Sequence, residues 1–284
     1  VWTRAQPLAR GAMGPATRIE AAETERHAAA ATRSAAPHAI PAVAAFAARR
    51  YPPSGVATNP TAGTGTAAVR ANVGGLPMSQ GGPALAAAVI VGCYLVGAVP
   101  VGVFVARRHG VDIRQHGSGN IGFTNVARVL GWRAGLLVFG LDTAKGAVSM
   151  AATRALWHES APWLSVAGGL AAVLGHNYSV FLGFRGGKGI SASLGASLAL
   201  VWPVALMALG LFVLTVAASR YVSLGSILAA CSQPVWAALL FPDRATPQVQ
   251  GVLCALAVLA VAQHRDNIRR LMRGTENRVG RRAS

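Results

Sequence analysis

The segment 83–106, PALAAAVIVGCYLVGAVPVGVFVA, carries no charged residue over a length that lets a helix cross a lipid bilayer, for which about 20 residues are needed. Such a run has no place on the surface of a water-soluble domain, so the chain is expected to be built around membrane-spanning helices. Further apolar segments can be drawn at 134–156, 162–181, 189–201, 203–219, 221–241 and 246–263. Composition agrees, with 53% hydrophobic and only 12% charged residues, against about 25% charged in a soluble domain. The expected fold is an all-α integral membrane protein with seven transmembrane helices, some short or broken, joined by glycine-rich cytoplasmic loops. The stretch 189–219 is too long for one helix, and VWPV at 201–204 offers a break. Two short spans and a re-entrant hairpin both fit it.

A net charge of +17 would suggest nucleic acid in a soluble protein, but no basic run is interleaved with base-stacking aromatics. The charge reads instead as a topology signal, because short cytoplasmic loops collect Lys and Arg. If the first span runs outside to inside, Arg107, Arg108, Arg114, Arg128, Arg133, Arg185, Lys188 and Arg220 all become cytoplasmic, as does the tail with Arg265, Arg269, Arg270 and Arg273. The opposite loops hold only His158 with Glu159, the turn near Trp202, and Asp243 with Arg244. The N-terminus is then outside and the C-terminus inside.

Residues 1–77 are rich in Ala, Pro, Thr and Arg and lack a sustained apolar period. They are expected to be a disordered extension that need not belong to the mature protein, with Met78 a candidate start and 78–284 the membrane domain. No compact apolar core followed by a small-residue cleavage site marks a signal peptide. Cys93, Cys231 and Cys254 all fall in apolar spans without C-x-x-C spacing, so they read as packing residues rather than disulfide or zinc ligands.

Four polar motifs fall on the cytoplasmic side. GSGNIGFTNVAR at 117–128 matches G-x-G-x-x-G by letter, but no strand precedes it, so a dinucleotide fold is not indicated. Gly117 and Gly119 could let backbone N–H groups approach an anion, with Ser118, Asn120 and Asn125 as neutral donors and Arg128 as a cation; a plain Gly/Asn turn is the alternative. In GFRGGKGIS at 183–191, Arg185 and Lys188 stand among glycines. As a P-loop it fails at two positions. Its N–H groups around Gly186 and Gly187 could still form an anion-binding concavity, and a helix starting at Gly189 would point its positive end at the same spot. Ordinary basic anchoring of a membrane helix also accounts for the charges, though not for the glycines. In SRYVSLGS, Ser223 and Ser226 share a helix face at i, i+3. His264 and Asn267 have the same spacing in HRDNIRRLMRGTEN, where Glu276 is a rare acid. Asp142 and Lys145, within a span, are also i, i+3 and could pair with each other.

No nucleophile elbow, zinc-protease signature, H-x4-D acyltransferase motif or metal cluster is visible, and no cofactor is implied. What remains is a set of amide, hydroxyl, glycine and cationic groups, suited to catalysis by positioning and charge stabilisation.

In order, GSGNIGFTNVARVLG, LDTAKG, GHNYSVFLGFRGGKG, SRYVSLGSILAA and HRDNIRRLMRGTEN resemble the motifs of the bacterial PlsY-type acyl-phosphate glycerol-3-phosphate acyltransferases, over about residues 94–280. The resemblance implies a seven-helix inner-membrane enzyme that transfers a fatty acyl group from acyl phosphate to the 1-hydroxyl of glycerol 3-phosphate. By position, Ser118, Arg128, Asn120 and Asn125 would belong to a phosphate site and Lys188 would hold a phosphate. Ser223, His264 and Asn267 would line the reacting centre, with Asn267 orienting the hydroxyl and Glu276 supporting the tail. Phe123 stands where the family usually has Ala, and Asp266 where Glu is common; neither removes a donor. Docking of the soluble enzyme that makes acyl phosphate onto the basic loops is left open. The rival readings are a transporter for a small organic phosphate and a structural membrane subunit.

Overall fold

The computed structural model describes residues 78–280; the expectations for residues 1–77 lie outside the described residues. Among these residues every regular element is helical. Helix α1 (Met78–Ala98) bends at Gly82 and continues, after a break at Val99 and Pro100, into α2 (Val101–Arg107). A short helix α3 (Phe123–Leu130) follows, then α4 (Trp132–Trp157) and α5 (Pro162–Asn177). The rest is α6 (Ile190–Ser219), α7 (Val222–Leu240), α8 (Pro247–Gln263) and α9 (Arg265–Met272).

The proline at position 100 cannot donate to the helix ladder and breaks it, and the carbonyls of Ala98 and Val99 at the break accept from side chains elsewhere in the bundle. Ser179 Oγ donates to Ala98 O at 2.6 Å and Lys145 Nζ to Val99 O at 2.9 Å. Lys145 also forms the expected ion pair with Asp142 at 2.9 Å, both side chains buried. Small residues then let α4 and α6 touch backbone to backbone, a packing mode that suits membrane bundles. A Cβ on Gly146 would lie 2.0 Å from the Ala192 carbonyl oxygen, and one on Gly195 would lie 1.8 Å from that of Thr143.

Among the described residues, four helical segments are long and apolar enough to cross a membrane: Gly82–Arg107, Trp132–Trp157, Ile190–Ser219 and Val222–Leu240. A fifth is added if Pro247–Gln263 and Arg265–Met272, bent by 59°, count as one. At 16 residues Pro162–Asn177 is short for a crossing. Four expected spans therefore lie within two residues of a helix, while the third ends early and the fourth and fifth share one element.

That shared element, α6, is not a straight rod. Val201 leaves helical geometry (φ −144°, ψ 77°) two residues before Pro203. A straight 30-residue helix would be about 45 Å long. Yet Lys188, just before its start, bonds Asn267, and Ser223, just beyond its end, bonds Glu276, which itself accepts from Asn267. Both ends meet at one place, so the chain doubles back at VWPV. The limb 190–200 reaches only about 16 Å, half a membrane.

One expectation about packing is corrected. Cys93 is buried, but Cys231 and Cys254 are exposed on the helix surface, so only the first packs inside the bundle.

Candidate active site

The loop before α3 is held by one amide. Buried Asn125 accepts the Ser118 N–H at Oδ1 (2.8 Å) and donates through Nδ2 to the carbonyls of His116 (2.9 Å) and Ile113 (3.3 Å). Gly117, at φ 62°, lies so close that a Cβ would sit 2.3 Å from Asn125 Oδ1. Gly119 N–H donates to His116 O, and Asn120 Oδ1 takes the N–H of Gly122. The glycines here therefore shape a turn, and the N–H groups of Ser118, Gly119 and Gly122 are spent inside it. Asn125 likewise spends its donors on the loop, contrary to its expected use as a free donor. What the loop offers outward is the Ser118 hydroxyl, the exposed Arg128 and the first turn of α3.

GFRGGKG is corrected in the same way. Gly186 N–H donates to Asn177 O at 3.0 Å and Gly187 N–H to His176 O at 2.9 Å. The expected concavity of free N–H groups is thus paired with the end of α5. Side chains would not fit: a Cβ on Gly186 would meet His176 O at 2.0 Å, and one on Gly187 would meet His176 Nε2 at 2.2 Å. Gly189 turns the chain at φ 76° and opens α6, so the helix start expected there is present. Arg185 is exposed, whereas Lys188 points inward.

Lys188 begins a chain of bonds that joins three elements. It donates to Asn267 Oδ1; Asn267 Nδ2 donates to Glu276 Oε1 at 2.6 Å. Ser223 Oγ donates to the same oxygen at 2.9 Å, and Arg270 Nε to Glu276 Oε2 at 2.7 Å. An ammonium only donates and a carboxylate only accepts, so the two neighbours fix which way the Asn267 amide faces. Burial pushes the Lys188 ammonium down to about 8, with Glu276 opposing the shift. Burial also pushes the Glu276 carboxyl up, but bonds from Asn267, Arg270 and Ser223 outweigh it and hold the group below its ordinary range. His264 is 2% exposed and its Nδ1 lies 2.7 Å from Ala260 O. A carbonyl partner requires Nδ1–H, which leaves Nε2 as a lone-pair acceptor. Burial, with the Lys188 charge adding to it, lowers His264 to about 4, so the ring is neutral near pH 7.

These groups share one cavity of about 490 Å³. Ser118, Gly119, Asn120, Asn125, Arg128, Gly186, Lys188, Gly189, Ser223, His264, Asn267 and Glu276 line it; Gly117, Arg185 and Gly187 do not. Its other wall is apolar, with Phe139, Leu194, Leu209 and Phe212. Cationic and amide groups at one end therefore open directly onto a hydrocarbon-like channel.

The sequence profile of the family described as "Glycerol-3-phosphate acyltransferase" matches residues 87–274. The chain belongs to this family. Among the acyltransferase relatives, the glycerol-3-phosphate acyltransferase of Geobacter sulfurreducens is 47% identical over 185 residues, covering 65% of this chain and 93% of that protein. That of Thermus thermophilus is 44% identical over 190 residues, 67% of this chain and 93% of that protein. A crystal structure of PlsY (YgiH), an integral membrane glycerol 3-phosphate acyltransferase, in its glycerol 3-phosphate form superposes with a TM-score of 0.64 at 39% identity. It covers 69% of this chain and 96% of that one. The lysophosphatidic acid form of the same protein gives 0.63 at 38% identity, covering 69% and 95%.

Several residues of this acyltransferase's cavity carried no role in the sequence reading. His176 lines the cavity and lies 3.7 Å, through Nδ1, from Asp142 Oδ1. Asn177 is buried with both amide atoms unpartnered. A His-Asn pair at the end of an apolar span, one segment after an intramembrane Asp, was the available signal. Arg270 had none, since it looked like one of several tail arginines until Glu276 was seen beside it.

Proposed function

We propose that the protein transfers a fatty acyl group from acyl phosphate to the 1-hydroxyl of glycerol 3-phosphate, giving 1-acylglycerol 3-phosphate (lysophosphatidic acid) and inorganic phosphate. The observation that carries this reading is the single cavity whose one end is cationic and amide-lined while its wall is apolar. Two phosphorylated reactants need the first, and a fatty chain needs the second. Family membership supports the acceptor, and the solved glycerol 3-phosphate form of a relative at 39% identity agrees with it.

Acyl phosphate is already activated, so the hydroxyl oxygen attacks the acyl carbon directly. The C–O bond to phosphate breaks as the ester forms, and the hydroxyl proton leaves with the phosphate; no acyl-enzyme is required. In this scheme Lys188 and Arg128 offset the charge of the phosphates. The Ser118 hydroxyl and the free amide hydrogens of Asn120 add donors, and the first turns of α3 and α6 contribute their positive ends. Asn267, held between Lys188 and Glu276, orients the hydroxyl. His264 Nε2 accepts its hydrogen bond; a ring lowered to about 4 is better suited to that than to storing a proton. Asn125 positions the loop, and Ser223 steadies Glu276.

The same reading places seven helical segments in a bacterial cytoplasmic membrane, the two limbs of α6 entering and leaving on the cytoplasmic side, with this site on that side and the N-terminus outside. The clustering of Arg and Lys at the site's end of the bundle supports that orientation. The soluble enzyme that makes acyl phosphate would approach the same basic face. The test is phosphate release from palmitoyl phosphate by the purified protein in lipid, with and without glycerol 3-phosphate. Release that requires glycerol 3-phosphate and yields an ester is expected. Uptake of labelled glycerol 3-phosphate into vesicles without ester would overturn the reading in favour of transport.

A further inference from the structure

The apolar arm of the cavity has a defined end. Val222, Ser223, Ser226, Ala229, Ala230 and Gln233 of α7 line it, and spacings of three and four keep them on one helix face. The serines stand at the polar end, and the two alanines leave the channel open below them. Gln233 closes it. The next residues on that face, Trp236 and Ala237, are packed with Val201 and Val204 in the apolar core. At 1.5 Å per residue Gln233 lies about 15 Å below Ser223, half of a hydrocarbon layer about 30 Å thick and so the depth of one leaflet.

An amide is an unexpected residue in that place. Gln233 is 6% exposed and its Oε1 has no hydrogen-bond partner. A buried, unpaired carbonyl oxygen destabilises the fold where a leucine of similar size would not. Neither packing nor a polar network within the described residues accounts for it. We infer that Gln233 is the floor of the acyl channel and sets the longest fatty chain the enzyme accepts.

The inference rests on the acyl-transfer reading above. A chain whose carbonyl sits beside Lys188 and Asn267 runs down this face of α7. Methylenes that stop short of Gln233 are buried against Leu209, Phe212 and the alanines. A methylene that reaches the amide must displace it or lie against an oxygen it cannot bond, so the gain from burying it is lost. One buried methylene is worth about a fourfold factor, and that is the size of the discrimination expected at the floor for each carbon.

The experiment is a competition. Purified wild type, Gln233→Ala and Gln233→Phe, each reconstituted in lipid, receive an equimolar mixture of acyl phosphates of graded chain length with glycerol 3-phosphate. The product distribution is read by mass spectrometry. Gln233→Ala is expected to raise the share of the longest chains by about fourfold per added methylene, and Gln233→Phe to shift the distribution to shorter ones. Turnover of the shortest chain should stay near wild type in both, which also reports that the variants are folded. An unchanged distribution in variants that turn over the shortest chain overturns this inference alone. No ester from any chain with wild type overturns the acyl-transfer reading and the inference with it.

Discussion

Glu276 and Asp142 are both carboxylates held by basic side chains, but the two are built differently. Glu276 has both oxygens bonded, by Ser223, Asn267 and Arg270, and belongs to elements that meet at the mouth of the bundle. Asp142 lies inside α4, paired with Lys145 at 2.9 Å, while His176 stands 3.7 Å away. Lys145 spends a further hydrogen on the Val99 carbonyl, so this second cluster ties α4 to the break between α1 and α2. The first cluster presents groups to a ligand. The second joins helices, with only its edge in the cavity.

The comparison breaks most easily at Asp142. Asp142→Ala leaves the Lys145 ammonium buried without its counter-charge and should destabilise the protein by about 3–5 kcal/mol, seen as a lowered thermal midpoint in detergent. Asp142→Asn combined with Lys145→Met should recover most of that loss, since no charge is then stranded. A single variant as stable as wild type would mean that Asp142 belongs with the chemistry instead. The reverse pattern is expected at the other cluster. Lys188→Ala and Asn267→Ala should each lower turnover by about 10²–10³ with little change in midpoint.

Much of this division could be read from residues alone. The membrane class, four helices close to their drawn bounds, the Asp142–Lys145 pair and the meeting of four distant motifs all follow from apolar length, i, i+3 spacing and charge asymmetry. What could not be read is which hydrogen bonds each group spends. A free N–H and a paired one look alike in GFRGGKG, and only packing against His176 and Asn177 shows that Gly186 and Gly187 are already satisfied. The fold-back of α6 was legible as a break at Pro203, but its meaning needed Lys188 and Ser223 to be seen converging on Asn267 and Glu276. Buried His176 stayed hidden because its neighbour Asp142 is far away in sequence, and Arg270 because nothing in the tail distinguishes it from the other arginines until Glu276 folds back onto it.

A smaller effect separates shaping from touching. Asn125→Ala removes the amide that closes the first loop, worth about 1–3 kcal/mol for the groups left unpaired. Since Asn125 holds the loop rather than the ligand, KM for glycerol 3-phosphate should rise more than kcat falls. A loss confined to kcat would place Asn125 at the reacting atoms.

The pH profile tests the electrostatics. A free lysine keeps its charge beyond pH 10, but Lys188, lowered to about 8 by burial, loses it earlier. kcat/KM should therefore fall about tenfold per unit above roughly pH 8, and Lys188→Arg should remove that limb. On the acid side, His264 at about 4 predicts a plateau that persists well below pH 6. A limb near 6.5 that is lost in His264→Gln, and so does not belong to the second ionisation of the substrate phosphate at about 6, would show instead an ordinary, solvated histidine acting as the base.

The smallest effect is expected three residues from the most sensitive lysine. Arg185 shares the glycine-rich segment with Lys188, yet its side chain is exposed and lies outside the cavity lining. Its charge reaches the site only through solvent, where interactions are screened within about 10 Å at 0.1 M salt. Arg185→Ala should then cost no more than about 1 kcal/mol in kcat/KM, and the difference should vanish at high salt. Lys188→Ala should keep its full loss there, because a buried charge is screened much less. If both variants lose activity alike at every salt concentration, the whole segment acts as the phosphate cradle. If only Lys188→Ala does, the glycines serve to bring one lysine against the end of α5, and the anion is held by that lysine and the groups across the cavity.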